Sequence, residues 1–297
     1  MGEATSVKYP TTKTHGFPKL GASRKETLGP AQPSNLRSPE WDATAYHRLS
    51  DPQFSWGQKV LKRLKLRGDE LVLDAGCGTG RLTAELLERL PKGRVIAVDH
   101  SENMLRAASE SLGPRFGDRV TFVRADLQTL RIEEKVDGIL STATFHWIKD
   151  HPQLYRHLYL AMKPGGWLVA QCGGGPNLSR LLGRASVLMA QEPYVRFFSD
   201  WSSPWEYTDD ITTAERLRSA GFVDVRTGLE QAPVVLADAK EYREFIASLI
   251  LREHLAQMPD DELRDQFVAS LTEQAVSDDP PFQIGYWRLN LQGRRPL

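Results

Sequence analysis

The sequence predicts an α/β domain built on a mostly parallel sheet with helices on both faces. Three observations carry that expectation. Between Leu71 and Gly175, apolar runs of strand length alternate with segments whose apolar residues recur at helical spacing. A glycine-rich turn, "DAGCGTG" at 74–80, joins the first of these strands to the helix after it. Three acids, Asp74, Asp99 and Asp126, end three successive strands, where side chains gather at the carboxyl edge of a parallel sheet.

The elements follow in order. "WDATAYHRLSDPQFSWGQKVLKRLKL" places Val60, Leu61, Leu64 and Leu66 on one helical face and stops at Gly68. "LVLDAG" is a buried strand. "RLTAELLERL" sets Leu82, Leu86, Leu87 and Leu90 on one face before Pro91. "RVIAVDH" is a second strand, and "SENMLRAASESL" a helix with Ser101 as its N-cap. "VTFVRAD" and "VDGILSTA" are the third and fourth strands, and "HPQLYRHLYLAM" is a helix ended by Lys163, Pro164 and Gly165. "GGWLVAQCGG" is the fifth strand. Beyond Gly175 the alternation breaks: residues 176 to about 208 read as helical and aromatic, "TTAERLRSAGF" leads to the strand "FVDVRTG", residues 238–277 are helical, and "FQIGYWRLNLQG" is a last strand. Residues 1–38, with Pro10, Pro18, Pro30 and Pro33, read as an extended or disordered arm.

Basic and acidic residues balance at 38 each, so the net charge provides no footprint for nucleic acid. No apolar run approaches the roughly 20 residues that span a bilayer. Cys77 and Cys172 stand apart from each other, without disulfide or zinc spacing, which fits a reducing cytoplasmic setting. The spacings among His146, His151 and His157 predict no metal site either.

A strand, a glycine turn and a helix form a nucleotide site, because bare backbone can approach the ligand and the helix N-terminus offers free N–H donors. The glycines here are Gly76, Gly78 and Gly80, one residue short of a dinucleotide fingerprint, and the Gly-Lys-Ser/Thr of a P-loop is absent. A carboxylate at Asp74 suits a ligand carrying a positive amino group better than a diphosphate. Asp99 stands where an acid accepts from ribose hydroxyls. Asp126 can accept from an adenine amino group.

The set "LVLDAGCGTG", "VIAVDHSENML", "RADL", "VDGILSTATFHW" and "MKPGGWLVA", in this order, resembles the class I S-adenosylmethionine-dependent methyltransferases. The resemblance covers residues 55–175 and implies a Rossmann-like sheet of seven strands, the last antiparallel. It divides the chain into the arm at 1–38 and a methyltransferase domain at 39–297, with the cofactor core at 55–175 and helical lid or cap insertions at 176–210 and 238–277. It also implies that Asp74, Gly76 and Gly78 face the methionine part of S-adenosylmethionine and Asp99 the ribose, with Gly80 a further cofactor-binding residue. Asp126 with Leu127 would meet the adenine, His100 and Met104 would flank its ring, and Ser141 would lie by the amino acid end. Cys77 is a small filler in this reading.

Within that superfamily the chain resembles the group of carboxylate O-methyltransferases acting on trans-aconitate, juvenile hormone acid or malonyl-carrier protein. The segment holding Tyr46 and Gln53 and the segment holding His146 and Trp147 carry this narrower likeness. The expected acceptor is a small molecule, with Tyr46, Gln53, His146, Trp147 and Arg196 as its candidate contacts and the chain a monomer or homodimer. Arg180 and Arg184 are further candidates for an acidic substrate. A carboxylate is ionised at neutral pH and needs no general base, whereas a hydroxyl or amine gains from one. His146 is therefore a base, a donor to a carboxylate, or a supporting residue. The alternatives are methylation of carbon, nitrogen or a hydroxyl in natural-product metabolism, and a non-catalytic cofactor-binding scaffold.

Overall fold

A computed structural model describes residues 40–297, without the side chains of residues 45–47. The arm expected over 1–38 and the Tyr46 side chain therefore lie outside the described residues. Nine strands are described: β1 Leu71–Ala75, β2 Arg94–Asp99, β3 Val120–Arg124, β4 Val136–Thr142, β5 Met162–Gly173, β6 Val223–Gln231, β7 Val234–Val235, β8 Gln283–Ile284 and β9 Trp287–Arg294. Seven of them form one sheet in the order β3-β2-β1-β4-β5-β9-β6. β1 to β5 pair in parallel, and β9 lies antiparallel to both β5 and β6. This is the expected seven-stranded Rossmann-like sheet. The order reverses between β1 and β4, which opens a crevice at their carboxyl ends.

The helices are α1 Ala43–Leu49, α2 Asp51–Lys62, α3 Arg81–Glu88, α4 Glu102–Phe116, α5 His151–Ala161, α6 Ser179–Met189, α7 Asp210–Ser219, α8 Ala239–Phe245, α9 Arg252–Leu255 and α10 Asp261–Ala275. The apolar face read on α3 is the buried one: Leu82, Leu86 and Leu87 pack with Val60, Leu61 and Leu64 against one side of the sheet. Ser101 caps α4, its Oγ accepting from the Met104 N–H at 3.2 Å. The opposite side of the sheet packs on α5 and α7 through Leu154, Tyr155, Leu158 and Leu217. A third apolar cluster, including Tyr194, Phe198, Trp205, Phe245 and Phe267, is the core of the cap.

Several boundaries differ from the expectation. The aromatic segment after Gly175 is helical only at α6 and in one turn at Val195–Phe197. Pro193 and Pro204 cannot continue a helix, and the aromatics are held by tertiary packing instead of helical periodicity. The section 238–277 is α8, a π-helical turn at Ile246–Ile250, α9 and α10, with Pro259 before α10. The last strand is split: β8 pairs with β7 in a separate ribbon, and β9 enters the main sheet after Gly285 and Tyr286. β5 begins at Met162, before the glycines, and an irregularity there sets four of its residues, 163–166, opposite Asp137 of β4.

Candidate active site at the carboxyl edge of the sheet

The glycine loop leaves β1 with all three glycines at positive φ, and each has its own reason. A Cβ on Gly76 would lie 2.0 Å from Thr144 Oγ1, so the turn after β4 packs directly on that backbone. A Cβ on Gly80 would meet Leu112 of α4 at 2.7 Å. Gly78, at φ 53°, has nothing within 4 Å of that position. Of the three, Gly78 is the one whose missing side chain leaves space open to a ligand.

The acids hold this loop in shape. Asp99 Oδ2 accepts from the Gly78 N–H at 2.8 Å, and its Oδ1 from the Ser101 N–H at 2.9 Å. Burial pushes its carboxyl up from the usual range. Asp74 is buried at the end of β1, where its Oδ2 accepts from Thr83 Oγ1 at 2.6 Å. Burial, with the nearby Asp99 charge, raises its pKa to about 6. Asp126 closes a turn by accepting from the Gln128 N–H at 2.8 Å, and Leu127 beside it is buried. Met104 is buried on α4, whereas His100 is exposed, with its carbonyl accepting from Arg124 Nε. Ser141 is buried and donates to the Ala75 carbonyl at 2.6 Å, so its hydroxyl ties β4 to the end of β1. Cys77 is buried and its thiol is pushed well up, which fits a filler.

Next to this edge lies a small cavity of about 50 Å³. Ala143, His146 and Trp147 enter it from the turn after β4, Gln53 from α2, Trp205 and Tyr207 from the cap, and Arg288 from β9. Leu249 and Ile250, in the π-helical turn, close another side. Ala143 has φ 55°, a left-handed conformation unusual for a residue with a Cβ and found often at working sites. A larger void, about 640 Å³, lies among α1, α2, α3 and α4. It meets the loop only at 79–81, and none of Asp74, Gly78, Asp99 and Asp126 lines it.

His146 is buried in a 3₁₀ turn, near-parallel to the Tyr207 ring with centroids 5.8 Å apart. Its Nδ1 accepts from the Gly173 N–H at 3.3 Å, which assigns the proton of the neutral ring to Nε2. Burial, reinforced by the Arg288 and His151 charges, holds its pKa well below the usual histidine value. The turn is clamped from both sides: the Glu206 N–H donates to the His146 carbonyl at 2.8 Å, and His151 Nε2 donates to the Phe145 carbonyl at 3.0 Å.

The arginines divide differently from expectation. Arg180 and Arg184 pair with the buried Asp278 at 3.0 and 2.7 Å, so they brace the cap. Arg196 is exposed, lies over Phe197, and does not line the cavity. Arg288, which sequence reasoning missed, is the arginine that enters the cavity. Its mark was an Arg inside the apolar run "WRLNL", a poor fit to a plain buried strand. Thr83, Thr144 and Asn177 were also missed: Thr83 meets Asp74 nine residues back, whereas Thr144 and Asn177 meet Gly76 and Trp287, 68 and 110 residues away. Among the described residues no cluster of His, Cys, Asp or Glu could hold a metal ion. None of their helices is long and apolar enough to cross a membrane.

The family described as "Methyltransferase domain" matches residues 72–166, the stretch from β1 through the bulge of β5. Fold, glycine loop and matched residues together define an S-adenosylmethionine-dependent methyltransferase, and S-adenosylmethionine is its cofactor. The chain is 29% identical over 238 residues to a trans-aconitate 2-methyltransferase of Azoarcus sp. (strain BH72), covering 75% of this chain and 85% of that one. It is 33% identical over 154 residues to the malonyl-[acyl-carrier protein] O-methyltransferase of Bacillus cereus, covering 50% of this chain and 55% of the relative. Among solved structures, the Haemonchus contortus phosphoethanolamine N-methyltransferase 2 in complex with S-adenosyl-L-methionine superposes with a TM-score of 0.56 at 19% identity, over 86% of this chain and 57% of that one. A cyclopropane synthase of Mycobacterium tuberculosis gives 0.54 at 17%, over 81% and 84%. At these identities the structures speak for the fold alone.

Proposed function

We propose that this methyltransferase esterifies a carboxylate on a small molecule. The observation that carries the reading is the state of His146. A general base needs a lone pair, and the Nδ1 lone pair already accepts the Gly173 N–H while Nε2 bears the proton. His146 is thus a donor, suited to an acceptor that arrives ionised. Tyr207, the neighbouring phenol, has its pKa pushed up by burial and offers no base either. The relatives named as trans-aconitate and malonyl-carrier-protein O-methyltransferases support the same class of acceptor.

S-adenosylmethionine supplies an electrophilic methyl group on a sulfonium sulfur that leaves as a neutral thioether. The chain's part is to hold, align and dry the reactants. Gly78 leaves bare backbone for the cofactor, and Asp99 sets the loop while keeping lone pairs for the ribose hydroxyls. Asp74 faces the methionine end, and Asp126 with Leu127 the adenine. Met104 supplies an apolar wall. Gln53 and His146 orient the acceptor, and Trp147 with Trp205 keeps water from it. A pH–rate series on wild type and His146→Gln, with an acceptor found by screening small acids, tests the reading. A loss of less than about tenfold, with no acid limb that the substitution removes, supports it; a loss of 10²-fold or more, with a wild-type acid limb lying below the usual histidine pKa, sinks it.

A further inference from the structure

We infer that His151 is a positioning residue for methyl transfer. With Arg216 and Glu206 it closes a circuit of hydrogen bonds behind the cavity, which holds the turn bearing His146 and Trp147 against the cap segment bearing Trp205 and Tyr207. The inference rests on the reading above in one respect, that this cavity takes the methyl acceptor, and adds what sets the cavity's shape.

The circuit can be followed bond by bond. His151 Nε2 lies 3.0 Å from the Phe145 carbonyl. Its Nδ1 meets Arg216 Nη1 at 3.2 Å and Thr208 Oγ1 at 3.0 Å. Arg216 Nη1 and Nη2 donate to Glu206 Oε1 at 3.2 and 3.3 Å. The Glu206 N–H donates to the His146 carbonyl at 2.8 Å, which returns the path to the residue after Phe145. Two successive carbonyls of one turn are thus gripped, one from α5 and one from the cap.

The partners fix the state of the imidazole. A carbonyl only accepts and a guanidinium only donates, so His151 carries its proton on Nε2 and a lone pair on Nδ1. Burial, with the Arg216 charge at Nδ1, keeps its pKa below the usual histidine value. Neutral histidine suits the place because it presents one N–H donor and one acceptor nitrogen on a rigid ring.

His146, Trp147, Trp205 and Tyr207 line the cavity, and the circuit stands behind them. Side chains 205 and 207 face the cavity while 206 and 208 face the circuit, as alternate side chains of an extended chain do. The aromatic rings of the two walls meet in pairs, His146 with Tyr207 at 5.8 Å and Trp147 with Trp205 at 5.6 Å between centroids. The circuit therefore sets the two walls as one unit, and a small misplacement of reactant walls costs rate more than binding.

The test uses the full-length protein with S-adenosylmethionine and trans-aconitate as the acceptor probe. His151→Phe fills the space with neither donor nor acceptor, and His151→Gln keeps one of each. Arg216→Met cuts the circuit at a side chain 25% exposed and carries the kinetic test if His151→Phe does not fold. His151→Phe and Arg216→Met should each lower kcat by about 10- to 100-fold, with KM changed less and S-adenosylhomocysteine affinity within about twofold of wild type. His151→Gln should recover kcat to within about threefold of wild type. The double variant should lose about as much as the worse single one, because both act through one circuit. Unchanged kcat in Arg216→Met, losses that multiply in the double variant, or no recovery by His151→Gln would overturn the inference and leave the carboxylate reading intact. Methylation of ethanolamine with trans-aconitate untouched sinks the carboxylate reading instead, and the variants are then compared on ethanolamine. Where neither probe turns over, hydrogen exchange of the S-adenosylhomocysteine complex decides. The amides of 145–148 and 206 should exchange at least about tenfold faster in Arg216→Met while those of 71–80 keep their rates. Equal rates at 145–148 overturn the inference.

Discussion

The backbone N–H of Gly173 donates to Nδ1 of His146 across 3.3 Å, joining the end of β5 to the turn that follows β4. One contact thereby sets the imidazole tautomer, and on it rests the proposal that His146 acts as a donor and not as a base. His146→Gln keeps a donor of similar reach. Turnover on a carboxylate should fall by less than about tenfold, because orientation survives and no proton is removed. Steady-state kinetics at pH 7 with purified variant and wild type would measure this.

The cofactor side rests on Asp99. Asp99→Ala removes the ribose acceptor and also releases the Gly78 and Ser101 N–H groups that the carboxylate now holds. Hydrogen bonds to a charged group are worth about 1.5–3 kcal/mol, so affinity for S-adenosylhomocysteine should weaken tenfold or more. Unchanged affinity by calorimetry, in a folded variant, would remove Asp99 from the site.

Gly76 and Gly78 should separate stability from binding. Gly76→Ala drives a methyl into Thr144 at positive φ, and overpacking of this kind costs roughly 1–3 kcal/mol beyond the backbone strain. Gly78→Ala meets no atom and should cost only about 1 kcal/mol, while reducing cofactor affinity more than Gly76→Ala does per unit of stability lost. Urea unfolding and ligand titration of both variants give the comparison.

Burial of His254 among Trp201, Trp205 and Phe198 lowers its pKa to about 4. The unfolded chain binds this proton from pH 6.5 downward and the folded chain does not. Stability is therefore complete above pH 6.5 and falls as pH drops toward 4, by up to roughly 3 kcal/mol from this group. His254→Phe should flatten that limb of a Tm-against-pH curve. An unaltered slope would mean that other groups set it.

Asp74 has the opposite sign. Its folded pKa, raised to about 6 from 3.8, makes the folded chain the better proton binder between those values. Its contribution is most favourable below pH 3.8 and is lost as pH rises through 6. Asp74→Asn should therefore raise Tm above pH 6, with the gain vanishing toward pH 4, while weakening the cofactor. A drop in Tm at pH 8 would show that the Thr83 bond outweighs the cost of burying the charge.

By itself, the sequence determined the alternation of strands and helices, the glycine loop and the three acids at the strand ends. Those signals are local: apolar periodicity fixes an element, and a turn needing positive φ needs glycine at that place. The tertiary structure alone decided how the cavity beside the carboxyl edge is built. Its walls come from α2, the turn after β4, the cap, the π-helical turn and β9, and contacts across such separations leave no spacing rule in the chain. Arg180 and Arg184 looked available until Asp278, about a hundred residues away, was found between them. Arg288 sits in a strand inserted between β5 and β6, and only that insertion brings its guanidinium beside His146. The proton on His146 was settled likewise, by a backbone N–H 27 residues further along the chain. A titratable side chain takes its role from the groups that surround it, and those are assembled when the sheet closes.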